Sequence, residues 1–367
     1  MSFFSEYTQV SKLLQQKQQV VFYAESRHYY PYFEKLINDL SREGIEICYI
    51  TSDADDGLLR QSLPNMKVVY VKWMLGFLFS RIKADVMIMT MTDLDNYLFK
   101  RSPAVGSYIY IFHAAVSTHQ QYRQEAFYHY DCIFCVGEYQ QTEIRTTEKL
   151  NDLPQKELMA YGYPLFDEIE KKTAGRNTGT KNILIAPSWF DGCIFDVCLE
   201  ELLQQLSALP YKIILRSHPE YEKRKRKEFK RIKKDIAAYF NVVIDDMPNI
   251  LDRLTTIDML ITDRSGIALE FAFGAGKPVL FIDTSLKQTN PDWKNLQIEP
   301  VENSLRKEIG VSVPVNLDGL QPALKTLEEL SSGFEERVTE LKRTLFYNSD
   351  ENYKKGLEYV LQKIKRN

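Results

Sequence analysis

Residue types suited to handling a phosphate fall at several points along this chain, each directly after an apolar run. In DMLITDRSGIALEFAFGAGKPVLFID, from Asp258 to Asp283, the apolar run ends at Thr262, a polar turn follows, and Ser265-Gly266-Ile267 opens a helical pattern. The first N–H groups of a helix have no intrahelical partner and sit at the positive end of its dipole, so strand, turn and helix in this order suit a phosphate. Thr262, Asp263, Ser265 and Gly266 are therefore the expected phosphate residues. Gly266 would allow close backbone approach, and Ser265 would cap the helix and donate its hydroxyl. Glu270, one turn on, is placed to accept from a ribose hydroxyl. An ordinary capped helix has the same Ser-Gly turn; the order of the three elements weighs for function.

In YKIILRSHPEY, Arg216 and His218 follow an apolar strand beside a proline-fixed turn. A guanidinium fork and an imidazole there can clamp a diphosphate, although a solvent-facing loop histidine is the plainer alternative. In SYIYIFHAAVSTHQQY, His113 ends another apolar strand, with Ser117, His119 and Tyr122 close behind. That places His113 on the side opposite the nucleotide, as a general base for an acceptor hydroxyl. His119 and His129 are expected merely to cover a helix. APSWF can supply Ser188 to a phosphate, and AYGYPLFDEI can lend its glycine-proline turn to a seam between domains. No carboxylate accompanies His113 at useful spacing, so neither a metal nor a cofactor is expected.

These residues need elements to hold them. Short β-rich runs recur at 20–24, 45–50, 67–71, 85–90, 107–112 and 132–136, separated by amphipathic helical stretches. Alternating strands and helices imply parallel sheet. The pattern breaks at the polar stretch Thr173 to Thr180, which reads as a linker, and resumes with runs at 182–187, 211–216, 241–244, 258–262 and 278–282. Helical stretches at roughly 319–345 and 350–365 finish the chain. The expectation is α/β: two doubly wound Rossmann-like domains facing a cleft, with C-terminal helices. The expected limits are 1–172 for an acceptor-side domain, 181–345 for a nucleotide-donor domain and 346–367 for a C-terminal helix. Ligands of such sheets bind at the carboxyl ends of the strands.

The 367 residues, 44% hydrophobic and 26% charged, suffice for two cores. A net charge of -3 gives no general attraction to nucleic acid. Residues 223–234, KRKRKEFKRIKK, are the local exception, with nine basic residues and one acidic. They are either a solvated helix face or a contact with an anionic membrane surface, to which the run Trp73 to Phe79 can add insertion unless it is simply a buried helix. No apolar run approaches the roughly 20 residues of a bilayer span, which points to the cytoplasm, with peripheral attachment to the inner membrane face as an option. Cys48, Cys132, Cys135, Cys193 and Cys198 are scattered and odd in number, which argues against a disulfide framework. The Cys132–Cys135 pair lies in a strand-like run and reads as structural.

Taken in order, five segments resemble motifs of the CDP-glycerol glycerophosphotransferase family, the primases and polymerases of teichoic acid and related polyol-phosphate glycans. They are FHA at 112–114, GYPLFD at 162–167, APSWF at 186–190, RSHP at 216–219, and TDRSG at 262–266 with the Lys277-Pro278 pair. The resemblance covers roughly residues 105–285. It implies a glycosyltransferase-B-like fold, with His113 and His218 matching the family's motif histidines in catalysis and phosphate binding. Phe190 stands where the family usually has arginine, Ala114 replaces a glycine, and Arg264-Ser265-Gly266 replaces the commoner tyrosine-serine-serine.

The expected activity is transfer of a polyol phosphate, glycerol phosphate first, from a CDP-linked donor to a hydroxyl of a glycan or lipid-linked acceptor in cell-surface polysaccharide synthesis, teichoic-acid-like or capsular. Two alternatives stand beside it. One is a sugar-nucleotide glycosyltransferase or UDP-N-acetylglucosamine 2-epimerase-like enzyme, whose folds use a similar turn before a helix. The other is a catalytically weak nucleotide-binding subunit of a polysaccharide assembly complex.

Overall fold

The computed structural model describes residues 3–61, 63–174, 181–245, 247 and 249–365. Most of the expected linker, positions 175–180, lies outside the described residues. Among the described residues the first sheet has seven strands: β1 (Gln18–Ala24), β2 (Ile47–Thr51), β3 (Met66–Tyr70), β4 (Ala84–Met89), β5 (Val105–Ile111), β6 (Cys132–Cys135) and β7 (Glu157–Ala160). Their order is β3-β2-β1-β4-β5-β6-β7. The second has β8 (Asn182–Ile185), β9 (Lys212–Leu215), β10 (Val242–Ile244), β11 (Met259–Thr262), β12 (Val279–Asp283) and β13 (Gly310–Pro314), ordered β10-β9-β8-β11-β12-β13. Strand pairing is parallel throughout both sheets.

Each sheet thus reverses its strand order once, between β1 and β4 and between β8 and β11. In doubly wound folds the ligand crevice opens at that reversal, beyond the carboxyl ends of the two strands. Central strands are buried on both faces because helices cover them, which is why β1, β2, β4 and β11 read as continuous apolar runs.

The apolar core is continuous between the sheets. One cluster joins Met87, Tyr110 and Phe166 of the first half to Leu260, Phe271 and Phe346 of the second. Helix Pro164–Thr173 lies on helix Ile267–Ala275, where Gly274 permits the approach: a Cβ there would come within 2.8 Å of the Ile169 Cβ. The chain then returns. Helix Phe334–Leu345 packs on the second half, and helix Asp350–Lys365 packs against β4 and β7 of the first sheet. Gly162, with φ +91°, turns beneath this returning segment, and a Cβ would meet the Tyr347 carbonyl at 2.7 Å. Only glycine fits that turn.

Two details differ from expectation. The stretch 319–345 is two helices, Leu320–Leu330 and Phe334–Leu345, parted at Gly333, whose φ of +73° breaks the helix. Edge strands β7 and β13 carry too few buried residues to announce themselves as apolar runs. Cys132 and Cys135, three apart on β6, point to opposite faces of the sheet and join different core clusters, so they form no chelating pair.

Candidate active site

The two strand-order reversals face one cleft. On the second sheet, Asp263 follows β11 and is fully buried, its carboxylate accepting from the backbone N–H of Ser188 at 2.8 Å, Ile194 at 3.1 Å and Arg264 at 2.6 Å. Thr262 Oγ1 donates to the Ala186 carbonyl at 2.7 Å. The side chains of Thr262 and Asp263 are thus engaged within the protein: an acceptor-only carboxylate holding three N–H groups ties the loops after β8 and β11 together and positions what they carry. They carry Ser188, Ser265 and the start of helix Ile267–Ala275.

Ser265 does not cap that helix. Gly266 is the N-cap, without a side-chain cap bond among the described residues; Ala268 N donates to the Ser265 carbonyl at 3.3 Å and Leu269 N to the Gly266 carbonyl at 3.0 Å, which leaves the N–H groups of Gly266 and Ile267 available. What Gly266 approaches is the first sheet: a Cβ on it would lie 3.3 Å from Val116 Cγ1 and 3.5 Å from the Ala114 Cβ, both just beyond His113. The Thr262–Gly266 turn and the His113 loop are thus in direct contact.

His113, half-buried after β5, is enclosed by tyrosines. Tyr29 lies edge-on at 5.4 Å between ring centroids, Tyr122 at 6.0 Å and Tyr32 at 6.3 Å, and the Tyr110 hydroxyl is 3.5 Å from Nδ1. Burial first, then the positive field of Lys287, lowers its pKa to about 4, although a bond to the Thr90 backbone works the other way. It is a neutral imidazole at ordinary pH.

From the second sheet His218 caps helix Pro219–Arg224: its Nδ1 accepts from Glu220 N at 3.1 Å. A neutral imidazole accepting at Nδ1 carries its proton on Nε2, so the cap fixes a donor. Its pKa is also lowered to about 4, by burial, then Lys287, with His113 and His28 contributing. The cleft therefore brings the two expected histidines together. Arg216 is nearby but already engaged: Nη1 donates to Asp245 Oδ2 at 2.5 Å and to the Met247 carbonyl at 2.9 Å, leaving less of the fork for a diphosphate than its sequence position suggests.

Glu270 is buried and accepts from the Tyr163 hydroxyl at 2.7 Å. Burial raises its pKa to about 7. His119, expected to cover a helix, is buried instead, with Nε2 3.0 Å from the Ile298 carbonyl and Nδ1 3.3 Å from Glu143 Oε1. It fastens the halves together, as does Glu302, which accepts from Ser117 N, Ser117 Oγ and Gln121 Nε2 at 2.8 to 2.9 Å. A cavity of about 330 Å³ lies beside His119, between helix Glu138–Leu150 and the turn Trp293–Leu296, off the histidine cleft.

Sequence reasoning missed His28, Trp189 and Lys287. His28 sits beyond β1, at the first sheet's reversal, and senses Arg216 across the cleft. Its position just after a strand was the available signal. Trp189, next to Ser188 on the loop tied to Asp263, lies tilted to the His218 ring at 6.1 Å between centroids and carries Arg224 and Lys287 over its face. Phe190, the departure from the family arginine, packs on the second core. Nothing in the composition around Lys287 marks it.

Two facing Rossmann-like sheets with a helical C-terminus define the glycosyltransferase-B class of fold. The chain belongs to the CDP-glycerol:poly(glycerophosphate) glycerophosphotransferase family, whose model matches residues 6–299, so family likeness also reaches the first 104 residues that the motifs left out. Membership of that family makes it a transferase. In structure it is similar to the wall teichoic acid polymerase TagF, with a TM-score of 0.61 at 15% identity over 95% of this chain and 89% of that one. It is similar too to the UDP-GlcNAc 2-epimerase from Neisseria meningitidis, with a TM-score of 0.57 at 13% identity over 96% and 100% of the respective chains. The UDP-GlcNAc 2-epimerase of Methanocaldococcus jannaschii gives 0.55 at 12% identity over 85% and 92%. At these identities the structural likeness speaks for the fold. No curated protein matches the sequence.

Proposed function

We propose that the chain transfers a polyol phosphate, glycerol phosphate in the first instance, from a CDP-linked donor to a hydroxyl of a glycan or lipid-linked acceptor. The observation that carries this reading is the meeting of His113 and His218 from opposite sheets, close enough for the first to depress the pKa of the second. The acceptor hydroxyl attacks the β-phosphorus, the bond to the bridging oxygen breaks, and CMP leaves. His113 takes the hydroxyl proton. His218 donates from Nε2 to a phosphate oxygen, with Ser188, Ser265 and the N–H groups of Gly266 and Ile267 beside it. Little covalent work falls to the protein, so the rate comes from positioning and charge stabilisation.

The test is a panel of CDP- and UDP-linked donors offered to the purified chain with simple polyol and glycan acceptors, following CMP, UMP or UDP. CMP release with transfer supports the reading. UDP release, or epimerisation of a UDP-linked sugar, would hand the site to one of the alternative enzymes.

A further inference from the structure

The segment after β12 straps the second half of the chain to the first. Arg264 Nη2 donates to the Thr284 carbonyl at 3.1 Å, and Thr289 N donates to the Gln120 carbonyl at 3.0 Å. His119 holds the Ile298 carbonyl and Gln121 holds Glu302 further along. Lys287 lies in this strap, half-buried, with its ammonium 5.5 Å from the centre of the Trp189 ring.

Among the described residues Lys287 has neither a hydrogen bond nor an ion pair. The two carboxylates whose charge reaches it, Glu302 and Asp263, are each already held by three hydrogen bonds. Its field falls instead on His113 and His218. A cation withdrawn from water without a counter-ion is costly, and proteins ordinarily pair such a charge. Here the protein's own anions are taken, and the free ammonium lies over the Trp189 ring, whose other neighbour is His218 at 6.1 Å between ring centroids.

We propose that Lys287 is the cation that receives the diphosphate of the nucleotide donor, carried into the cleft by the strap that joins the two sheets. This rests on the functional reading above and adds its principal charged contact. A phosphate oxygen bound to the ammonium would sit over Trp189, with His218 Nε2–H and the N–H groups of Gly266 and Ile267 reaching the same group. Arg216 is not needed for this part, which accords with its engagement by Asp245.

The test is isothermal titration of inorganic pyrophosphate and of CDP into the full chain, Lys287→Met and Lys287→Arg. The methionine variant should bind both roughly tenfold or more weakly, while arginine, retaining the charge, recovers most of the affinity. In the unaltered chain, saturating CDP should also shield Lys287 from an amine-acylating reagent, read by mass spectrometry, a measurement that needs no variant. Unchanged affinity in Lys287→Met, or undiminished labelling under saturating CDP, overturns the assignment while leaving the donor reading in place. Absence of any pyrophosphate or CDP binding by the unaltered chain overturns both.

Discussion

The Tyr163 hydroxyl, on the turn that ends the first sheet, donates at 2.7 Å to Oε1 of Glu270, on the helix that follows the Thr262–Gly266 turn. The bond crosses from one half of the molecule to the other and leaves a carboxyl buried at a pKa of about 7, burial being the cause that dominates. A folded-state pKa above the ordinary 4.5 means that the folded chain holds a proton the unfolded chain releases between those two values. Stability conferred by the neutral carboxyl is complete below about pH 4.5 and is lost as pH rises through about 7.

Glu270→Gln should remove that dependence while still accepting from Tyr163. At roughly 1.4 kcal/mol per pKa unit, the variant should exceed the parent by up to about 3 kcal/mol near pH 8 and match it near pH 4. Urea unfolding at both pH values is the measurement. Equal stability of parent and variant near pH 8 would sink the idea.

His218 serves as a helix cap and, in the proposed reaction, as a phosphate donor, and one pair of substitutions separates these roles. Asparagine is a strong N-cap that can keep the bond from Glu220 N but lacks the Nε2–H. His218→Asn should melt like the parent and bind CDP roughly tenfold more weakly. His218→Ala should show that loss and also about 1 kcal/mol of destabilisation from the missing cap. Full CDP affinity in the asparagine variant would remove His218 from the donor.

Much of this architecture was legible because doubly buried parallel strands are continuous apolar runs. The eleven runs read from the sequence correspond to β1 through β6 and β8 through β12, with ends shifted by a few residues. The edge strands β7 and β13 were not legible: ELMA and GVSVP carry no such run. Strand ends likewise gave the positions of His113, His218 and Ser265, which stand just beyond the carboxyl ends of β5, β9 and β11, where ligands of parallel sheets bind. The roles of Asp263 and Arg216 did not follow, because a residue at a strand end can turn toward the cleft or toward its own loops. Lys287 and Glu302 were illegible for another reason: their surroundings come from segments distant in the chain, Trp189 for Lys287 and Ser117 with Gln121 for Glu302.

Gly266 now has a specific physical role to test. Valine there would press on Val116 and Ala114 of the first sheet, costing about 1–3 kcal/mol by overpacking. Val116→Ala should relieve part of that cost in the double variant, a non-additivity of about 0.5 kcal/mol or more. Strictly additive stabilities would show that the two positions do not meet, and would return the effect of Gly266→Val to the phosphate alone.

Attachment to an anionic membrane remains our proposal for residues 223–234. Lys225 pairs with Asp191 and Asp196, and Lys223 and Arg224 pair with Glu220. Arg226, Lys227, Lys230, Arg231, Lys233 and Lys234 stay exposed around the buried Phe229 and Ile232. Trp73 and Phe77 are 73% and 44% exposed, so the run 73–79 is not wholly a buried helix, and no described helix is long and apolar enough to cross a membrane. At about 1 kcal/mol per basic residue near the surface, flotation with anionic vesicles should succeed at low salt and fail at high salt. Equal binding to neutral vesicles would count against it.

The final expectation concerns His113 as general base. Its pKa of about 4, set by burial and by Lys287, leaves it neutral and able to accept a proton throughout the ordinary pH range. Activity that needs a neutral base is lost as pH falls through that value, so the acid limb of kcat/KM, which reports the free enzyme, should lie near 4. A diphosphate beside Lys287 offsets the positive field, so the limb in kcat, which reports the donor complex, should lie higher. Removing the base should lower turnover by roughly 10² to 10⁴ while leaving CDP binding intact, in His113→Ala and in His113→Asn alike. The asparagine variant decides between chemistry and shape: it preserves a polar group of similar size near Tyr110 and Thr90 but cannot take the proton. Near-normal turnover in a folded His113→Asn chain would falsify the base assignment. A loss of CDP affinity matching the loss of turnover would place His113 on the phosphate instead, beside His218.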